Sequence, residues 1–171
     1  MRTADLTDDK KSLSPAKGIR QATTANDIGR ARALFVEYAQ WLKVDLCFQG
    51  FAEELKELPG AYAPPCGRLL LAGTTDDAFA CIALRPLQSA ELAEVKRLYV
   101  QPAHRGERWG YRLAEKLIAE ARIIGYRELK LDTLEWMTPA RILYASLGFR
   151  ECAAYYDNPL AGVVYMRLEL Q

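Results

Sequence analysis

The segment Leu98-Tyr99-Val100-Gln101-Pro102-Ala103-His104-Arg105-Gly106-Glu107-Arg108-Trp109-Gly110-Tyr111-Arg112 constrains this chain more than any other. An apolar strand end runs into a short turn. Trp109, Leu113, Leu117, Ala121 and Ile124 then recur at helical spacing up to Gly125, where a C-cap glycine belongs. A strand that feeds a long helix through so short a turn aims the free N–H groups of the helix at one spot, and the helix macrodipole makes that spot attractive to anions. Gly106 and Gly110 let the main chain approach a diphosphate, and Arg105, Arg108 and Arg112 can neutralise it. The same spacing also describes a glycine turn with a solvated basic face. It is not a P-loop, because no Gly-Lys-Ser/Thr follows to hold a γ-phosphate and Mg2+, and it is not the dinucleotide GxGxxG.

The remaining segments supply a sheet and three more helices. Gly18 to Ala22 reads as a short strand, and Thr24 with Asp27 forms a capping-box start. Ile28, Ala31, Leu34, Phe35, Tyr38 and Leu42 follow at helical spacing. A shorter helix carries Phe51, Leu55 and Leu58 and stops at Pro59-Gly60, and Ala61 to Cys66, with Pro64-Pro65, is expected to be extended and stiff. Arg68 to Ala72 and Ala78 to Leu84 form a hairpin, with Leu92 to Val100 as a third strand. Glu128 to Thr133 alternates charged and apolar residues as a strand does. Thr138 is expected as an N-cap, with Pro139 at the first helical position of a helix ending at Gly148. Phe149 to Tyr156 and Val163 to Leu170 close the chain as two strands. The order β-α-α-β-β-β-α-β-α-β-β is that of an α+β fold with a mixed, mostly antiparallel sheet and helices on both faces.

Composition narrows the function. At 171 residues and half hydrophobic, the chain is one ordinary domain with enough apolar material for a core. We expect residues 1–16, a mix of Lys, Arg and Asp without an apolar stretch, to be a polar tail, and 17–171 to be the domain. A net charge of +1 advertises neither nucleic acid nor an anionic membrane, and no apolar run is long enough to span one. Four cysteines without a CxxC and a single histidine, His104, argue against a metal site or a disulfide scaffold, and for a reducing, cytoplasmic setting.

The run Ala93-Glu94-Val95-Lys96-Arg97-Leu98-Tyr99-Val100, followed by Arg105-Gly106-x-x-x-Gly110, resembles motif A of the GNAT superfamily of N-acetyltransferases, and Leu143-Tyr144-Ala145-Ser146-Leu147-Gly148-Phe149 resembles their motif B. The element order is also similar to theirs. The resemblance implies an acetyl-CoA-dependent acyltransferase that moves an acetyl group directly to a primary amine of a small molecule or peptide. It implies a bulged fourth strand that splays from the fifth, a pantetheine arm paired with the main chain of Leu98 and Val100, and a diphosphate resting on the amides from Arg105 through Gly106, Glu107, Arg108, Trp109 and Gly110 to Tyr111. Tyr99 belongs to the same cofactor-binding run. Two positions depart from the family pattern: Arg108 replaces a glycine, and Met137 stands where asparagine is frequent.

Direct transfer from a thioester requires a deprotonated amine, a stabilised oxyanion and a proton for the departing thiolate. Tyr144 matches the family tyrosine that protonates sulfur; the other reading is a core ring with its hydroxyl at the rim. Glu94 matches a general-base glutamate, with strand alternation placing it on one face with Lys96, Leu98 and Val100 unless the bulge breaks the register; the other reading is a solvated charge. The N–H of Leu98 or Val100 would hold the oxyanion. His104 is expected to be an exposed loop residue. Tyr38, Trp41, Phe48 and the cluster Tyr155 to Asn158 are candidates for the acceptor pocket, and Glu37, Glu53 and Asp157 could attract a cationic amine there. Exposed strand edges would allow a homodimer. The rival readings are a non-catalytic acyl-CoA-binding or sensing module and a nucleotide-phosphate-binding regulatory domain.

Overall fold

The computed structural model describes residues 17–171, so the tail expected over 1–16 lies outside the described residues. Strand β1 (Gly18–Gln21) leads into α1 (Ala25–Leu42), whose start is the expected capping box. The Asp27 N–H donates to Thr24 Oγ1 at 3.1 Å and the Thr24 N–H donates to Asp27 Oδ2 at 3.2 Å. Then come α2 (Phe51–Glu57), β2 (Arg68–Gly73), β3 (Ala78–Pro86), β4 (Leu92–Val100), α3 (Trp109–Ile124), β5 (Glu128–Leu134), α4 (Thr138–Ser146), β6 (Arg150–Glu151) and β7 (Val163–Glu169). They form one sheet in the order β1-β2-β3-β4-β5-β7-β6, antiparallel except for the β4–β5 pair.

Both faces of the central strands are covered, which is why β2 and β3 read as continuous apolar runs. Leu70, Ala72, Ala80, Ile82 and Leu84 pack with Leu113 and Leu117 of α3, while Leu69, Leu71, Cys81 and Ala83 pack with Leu34 and Phe35 of α1. Past β4 the α3/α4 face stays apolar through Leu129, Leu131, Met166 and Leu168, and on the other face Leu134 packs with Leu42 and Leu46.

Two irregularities in β4 open the molecule. First, β4 pairs with β5 only at Leu92–Glu128, Ala93–Leu129 and Glu94–Lys130, so from Val95 onward its β5-facing edge has no strand partner among the described residues. This is the splay that the family resemblance implies. Second, the β3 register runs Ala83–Lys96 and then Cys81–Tyr99, so that Arg97 and Leu98 together oppose Ile82. At this bulge Arg97 takes a left-handed φ of 58°, and the Cys81 thiol donates to the Arg97 carbonyl at 3.3 Å.

The bulge corrects one expectation. Ala93 and Val95 face α3, as do Leu98 and Val100 beyond the bulge, while Tyr99 packs on the α1 side. Glu94 and Lys96 therefore lie on the face opposite Leu98 and Val100. Three smaller corrections concern local structure. Residues 61–66 are not extended: Gly60–Tyr62 is a 3-10 turn and a second turn follows, because Tyr62 buries its ring against Phe35 and donates its hydroxyl to Glu54 at 2.7 Å. Thr138 does not cap α4. Met137 holds that place, its N–H donating to Leu134 C=O at 2.9 Å, and Thr138 is already helical. The strand expected over 149–156 shrinks to Arg150–Glu151, and the chain from 152 to 162 forms a loop folded back over the sheet.

Candidate active site

Three cavities follow one another through the splay. The first, about 500 Å3, lies at the start of α3 and is lined by Leu98, Tyr99, Val100, Arg105, Gly106, Arg108, Trp109, Gly110 and Tyr111. Every cofactor-binding position expected from sequence is here except Glu107, whose exposed carboxylate accepts from Trp109 Nε1 at 2.9 Å. Pro139, Ala140 and Leu143 of α4 form the opposite wall.

The main chain here is an anion cradle. The first i to i−4 bond of α3 is Arg112 N–H to Arg108 C=O, at 3.0 Å, which leaves the N–H groups of Trp109, Gly110 and Tyr111 without helical partners. A Cβ on Gly110 would stand 3.2 Å from Leu143 Cδ1 and 3.8 Å from Val100 Cγ2, so glycine keeps this wall open. Arg108 adopts φ +63°, a conformation that favours glycine and explains why the family pattern has glycine there. Two expectations need correction. The Arg105 N–H is engaged in its own turn, donating to Pro102 C=O at 3.3 Å. Of the three arginines, Arg105 and Arg108 line the cavity and Arg112 does not. Arg105 donates from Nε to Val100 C=O at 3.0 Å and lies over Trp41, Arg108 lies over Tyr111, and Arg112 over Trp109. His104 is not a freely exposed residue: it stacks on Phe79 at 3.8 Å, and its Nδ1 is buried without a hydrogen bond, 3.5 Å from Glu107.

The central cavity, about 60 Å3, occupies the gap between β4 and β5. It shares Leu98, Met137 and Ala140 with the first cavity, and Tyr144, Asp132 and Tyr38 line it. The Tyr144 ring is buried edge-on against Phe149. Burial pushes its phenol well above the ordinary tyrosine range, so it remains an O–H donor at any working pH. Burial likewise holds Tyr38 up at about 12. Met137 faces both cavities, and its sulfur accepts from Thr133 Oγ1 at 3.7 Å.

The third cavity, about 420 Å3, lies on the opposite face of the sheet, under the 152–162 loop, and shares Gln49 and Lys96 with the central one. Glu94 stands in its wall, fully buried. It accepts at Oε2 from Arg85 Nε (2.7 Å) and Nη2 (2.6 Å), and at Oε1 from the Tyr155 hydroxyl (2.7 Å), with Lys96 Nζ 3.7 Å away. Desolvation and the charge of Glu94 raise the Tyr155 phenol far above its usual range. Lys96 Nζ continues to Asp132 at 3.3 Å, and Asn158 Nδ2 donates to Asp132 at 3.2 Å and to the Tyr156 hydroxyl at 2.8 Å. Of the acceptor-pocket candidates, Phe48, Tyr155 and Tyr156 line this cavity, whereas Tyr38 lines the central cavity and Trp41 the first. Glu37, Glu53 and Asp157 line none of the three; Glu37 accepts from Gln101 and Glu53 from Lys56.

Asp132 and Arg85 are the residues that sequence reasoning missed. Asp132 reads as the polar side of an alternating strand, and Arg85 lies just past the apolar run Ala78 to Leu84. The available signal was that Glu128-Leu-Lys-Leu-Asp-Thr-Leu puts Lys130 and Asp132 on the same face beside a predicted gap.

Among known proteins, the description "Acetyltransferase (GNAT) family" matches residues 32–149. An uncharacterized N-acetyltransferase of Schizosaccharomyces pombe is 40% identical over 148 residues, covering 84% of this chain and 89% of that protein. A GNAT-family acetyltransferase of Staphylococcus aureus has a similar fold, with a TM-score of 0.75 at 18% identity over 91% of this chain and 100% of that one. So does an acetyltransferase of Salmonella typhimurium solved with its cofactor acetyl-CoA, with a TM-score of 0.64 at 21% identity over 91% of this chain and 95% of that one. The motifs, the splayed fourth strand and these matches agree: the chain belongs to the GNAT family of acetyltransferases and is an acyltransferase.

Proposed function

We propose that this protein transfers the acetyl group of acetyl-CoA to a primary amine of a small molecule or peptide, by direct attack in a ternary complex. The observation that carries this reading is the line of cavities: one at a helix N-terminus, one on the far face of the sheet, joined through the gap where Tyr144 stands. Two substrates entering from opposite faces would meet there. Acetyl-CoA suits the first cavity, because free helical N–H groups and an open glycine wall receive a diphosphate, and the unpaired edge of β4 offers main-chain groups to an extended amide arm. The similar Salmonella fold carries this cofactor.

In this mechanism the amine nitrogen attacks the thioester carbonyl carbon, and a main-chain N–H of Leu98 or Val100 stabilises the oxyanion. The amine's proton passes to the Tyr155 oxygen as the Tyr155 proton passes to Glu94, 2.7 Å away. When the C–S bond breaks, the Tyr144 hydroxyl gives its proton to the thiolate. The test is thiol release from acetyl-CoA against a panel of amines. Amine-dependent release supports transfer; acetyl-CoA that binds yet is never deacetylated by any amine would identify a non-catalytic acyl-CoA-binding module instead.

A further inference from the structure

The third cavity lies on a sheet face whose charges form a row. Arg85, Glu94, Lys130, Arg167 and Arg150 are successive cross-strand partners on β3, β4, β5, β7 and β6. Like charges directly opposite one another destabilise a sheet, and this row sets Lys130 against Arg167 and Arg167 against Arg150. Glu128, 3.4 Å from both Lys130 and Arg167, offsets part of that repulsion but does not line the cavity.

Inside the cavity the carboxylate is buried, whereas Arg85, paired with Glu94, and Lys130, 3.4 Å from Glu128, both keep exposed surface. The Glu94 side chain is 1% exposed, with Arg85 and Tyr155 on its two oxygens. Arg85 is 35% exposed and Lys130 22%, and both line the cavity. The accessible charge is therefore a guanidinium and an ammonium. Lys96, 5% exposed at the passage to the central cavity, is held between Asp132 at 3.3 Å and Glu94 at 3.7 Å. Phe48, Leu87 and Leu92 add an apolar wall.

We propose that the acceptor is a small amino carboxylate, its carboxylate held by Arg85 and Lys130, its amine at the central cavity and an apolar side group against Phe48 and Leu87. This specifies the acceptor of the acetyl-transfer reading and rests on it. A polyamine or a lysine side chain, carrying only positive charge, would meet like charge at the same place.

The experiment compares thiol release from acetyl-CoA with L-phenylalanine, L-leucine and L-methionine, with their carboxamides, and with the corresponding amines lacking the carboxyl group. Cofactor binding is followed in parallel by tryptophan emission, since Trp41, Trp109 and Trp136 all line the first cavity. We expect kcat/KM to favour the carboxylates roughly tenfold or more, the scale of one charge-assisted hydrogen bond. This preference runs against chemistry, because the carboxamides have the less basic and more often neutral amine. Lys130→Gln should narrow the ratio of carboxylate to carboxamide. Equal or better turnover of the carboxamides or bare amines would overturn the proposal and leave acetyl transfer standing. Bound acetyl-CoA with no turnover of any member would overturn both.

Discussion

Tyr144 divides its side chain between two environments: the ring packs on Phe149, and the hydroxyl end borders the cavity between the splayed strands. Tyr144→Phe keeps the packing and removes only the proton. We expect kcat to fall at least tenfold, within the roughly 10²–10⁴ of general acid catalysis, with KM for acetyl-CoA little changed; steady-state kinetics check this, and an unchanged kcat would remove Tyr144 from the chemistry. Glu94 has a structural task beside its proposed catalytic one, since it is the counter-charge for Arg85 and Lys96. Glu94→Gln leaves a buried ammonium with one carboxylate fewer. Breaking such a pair destabilises by about 3 kcal/mol, which thermal melts would show as a lowered Tm; an unchanged Tm would mean that the ion pairs contribute nothing net. Glu94 and Tyr144 both stood out as candidates through the two motifs. The engagement of Glu94 was not legible, because its partners Arg85 and Tyr155 come from distant parts of the chain.

Single elements carry two further predictions. At the start of α1, burial acts to raise the Asp27 carboxyl, but the N–H groups of Thr23 and Thr24 and the Arg20 guanidinium outweigh it and hold the acid below its ordinary value. A carboxylate lowered on folding contributes stability above its unfolded pKa and loses that contribution as pH falls through the folded one. Asp27→Asn should therefore lower stability at neutral pH and flatten its decline below about pH 4; urea melts across pH measure both, and parallel acid limbs in the two proteins would contradict it. At the start of α3, Gly110→Glu puts a side chain against Leu143 and a negative charge at the free N–H groups, and we expect CoA binding to be lost. Gly110→Ala, whose methyl crowds the movable tip of Leu143 and makes ordinary contact with Val100, should bind more weakly but still bind. Retained affinity in the glutamate variant, measured by titration, would mean that the diphosphate lies elsewhere. Helix starts of this kind are local chemistry, so sequence reads them well. The β4 bulge is different. Arg97 takes its left-handed φ with no glycine to announce it, held by a bidentate pair from its guanidinium to Glu54 on α2, at 2.6 and 3.0 Å. Long-range packing fixes that turn, and so the face on which Leu98 and Val100 lie could not be read from alternation.

At the scale of the whole molecule, periodicity and caps made the order of elements readable, while the splay was readable only through the family resemblance. The acceptor side was readable only in part. Tyr155 and Tyr156 stood out as a polar-aromatic cluster, but the cavity needs Arg85 from β3, Lys130 from β5 and the 152–162 loop brought together over one sheet face. The account stands or falls on two substrates approaching from opposite faces, and the cofactor half is the more direct to examine. Calorimetric titration of the purified protein with acetyl-CoA, CoA and ATP in parallel, with tryptophan emission recorded alongside, is the decisive measurement. The account predicts saturable binding of acetyl-CoA and CoA with a change in emission, and no heat from ATP. Absence of binding by either CoA species, or equal binding of ATP, would contradict it and leave the fold without the proposed chemistry.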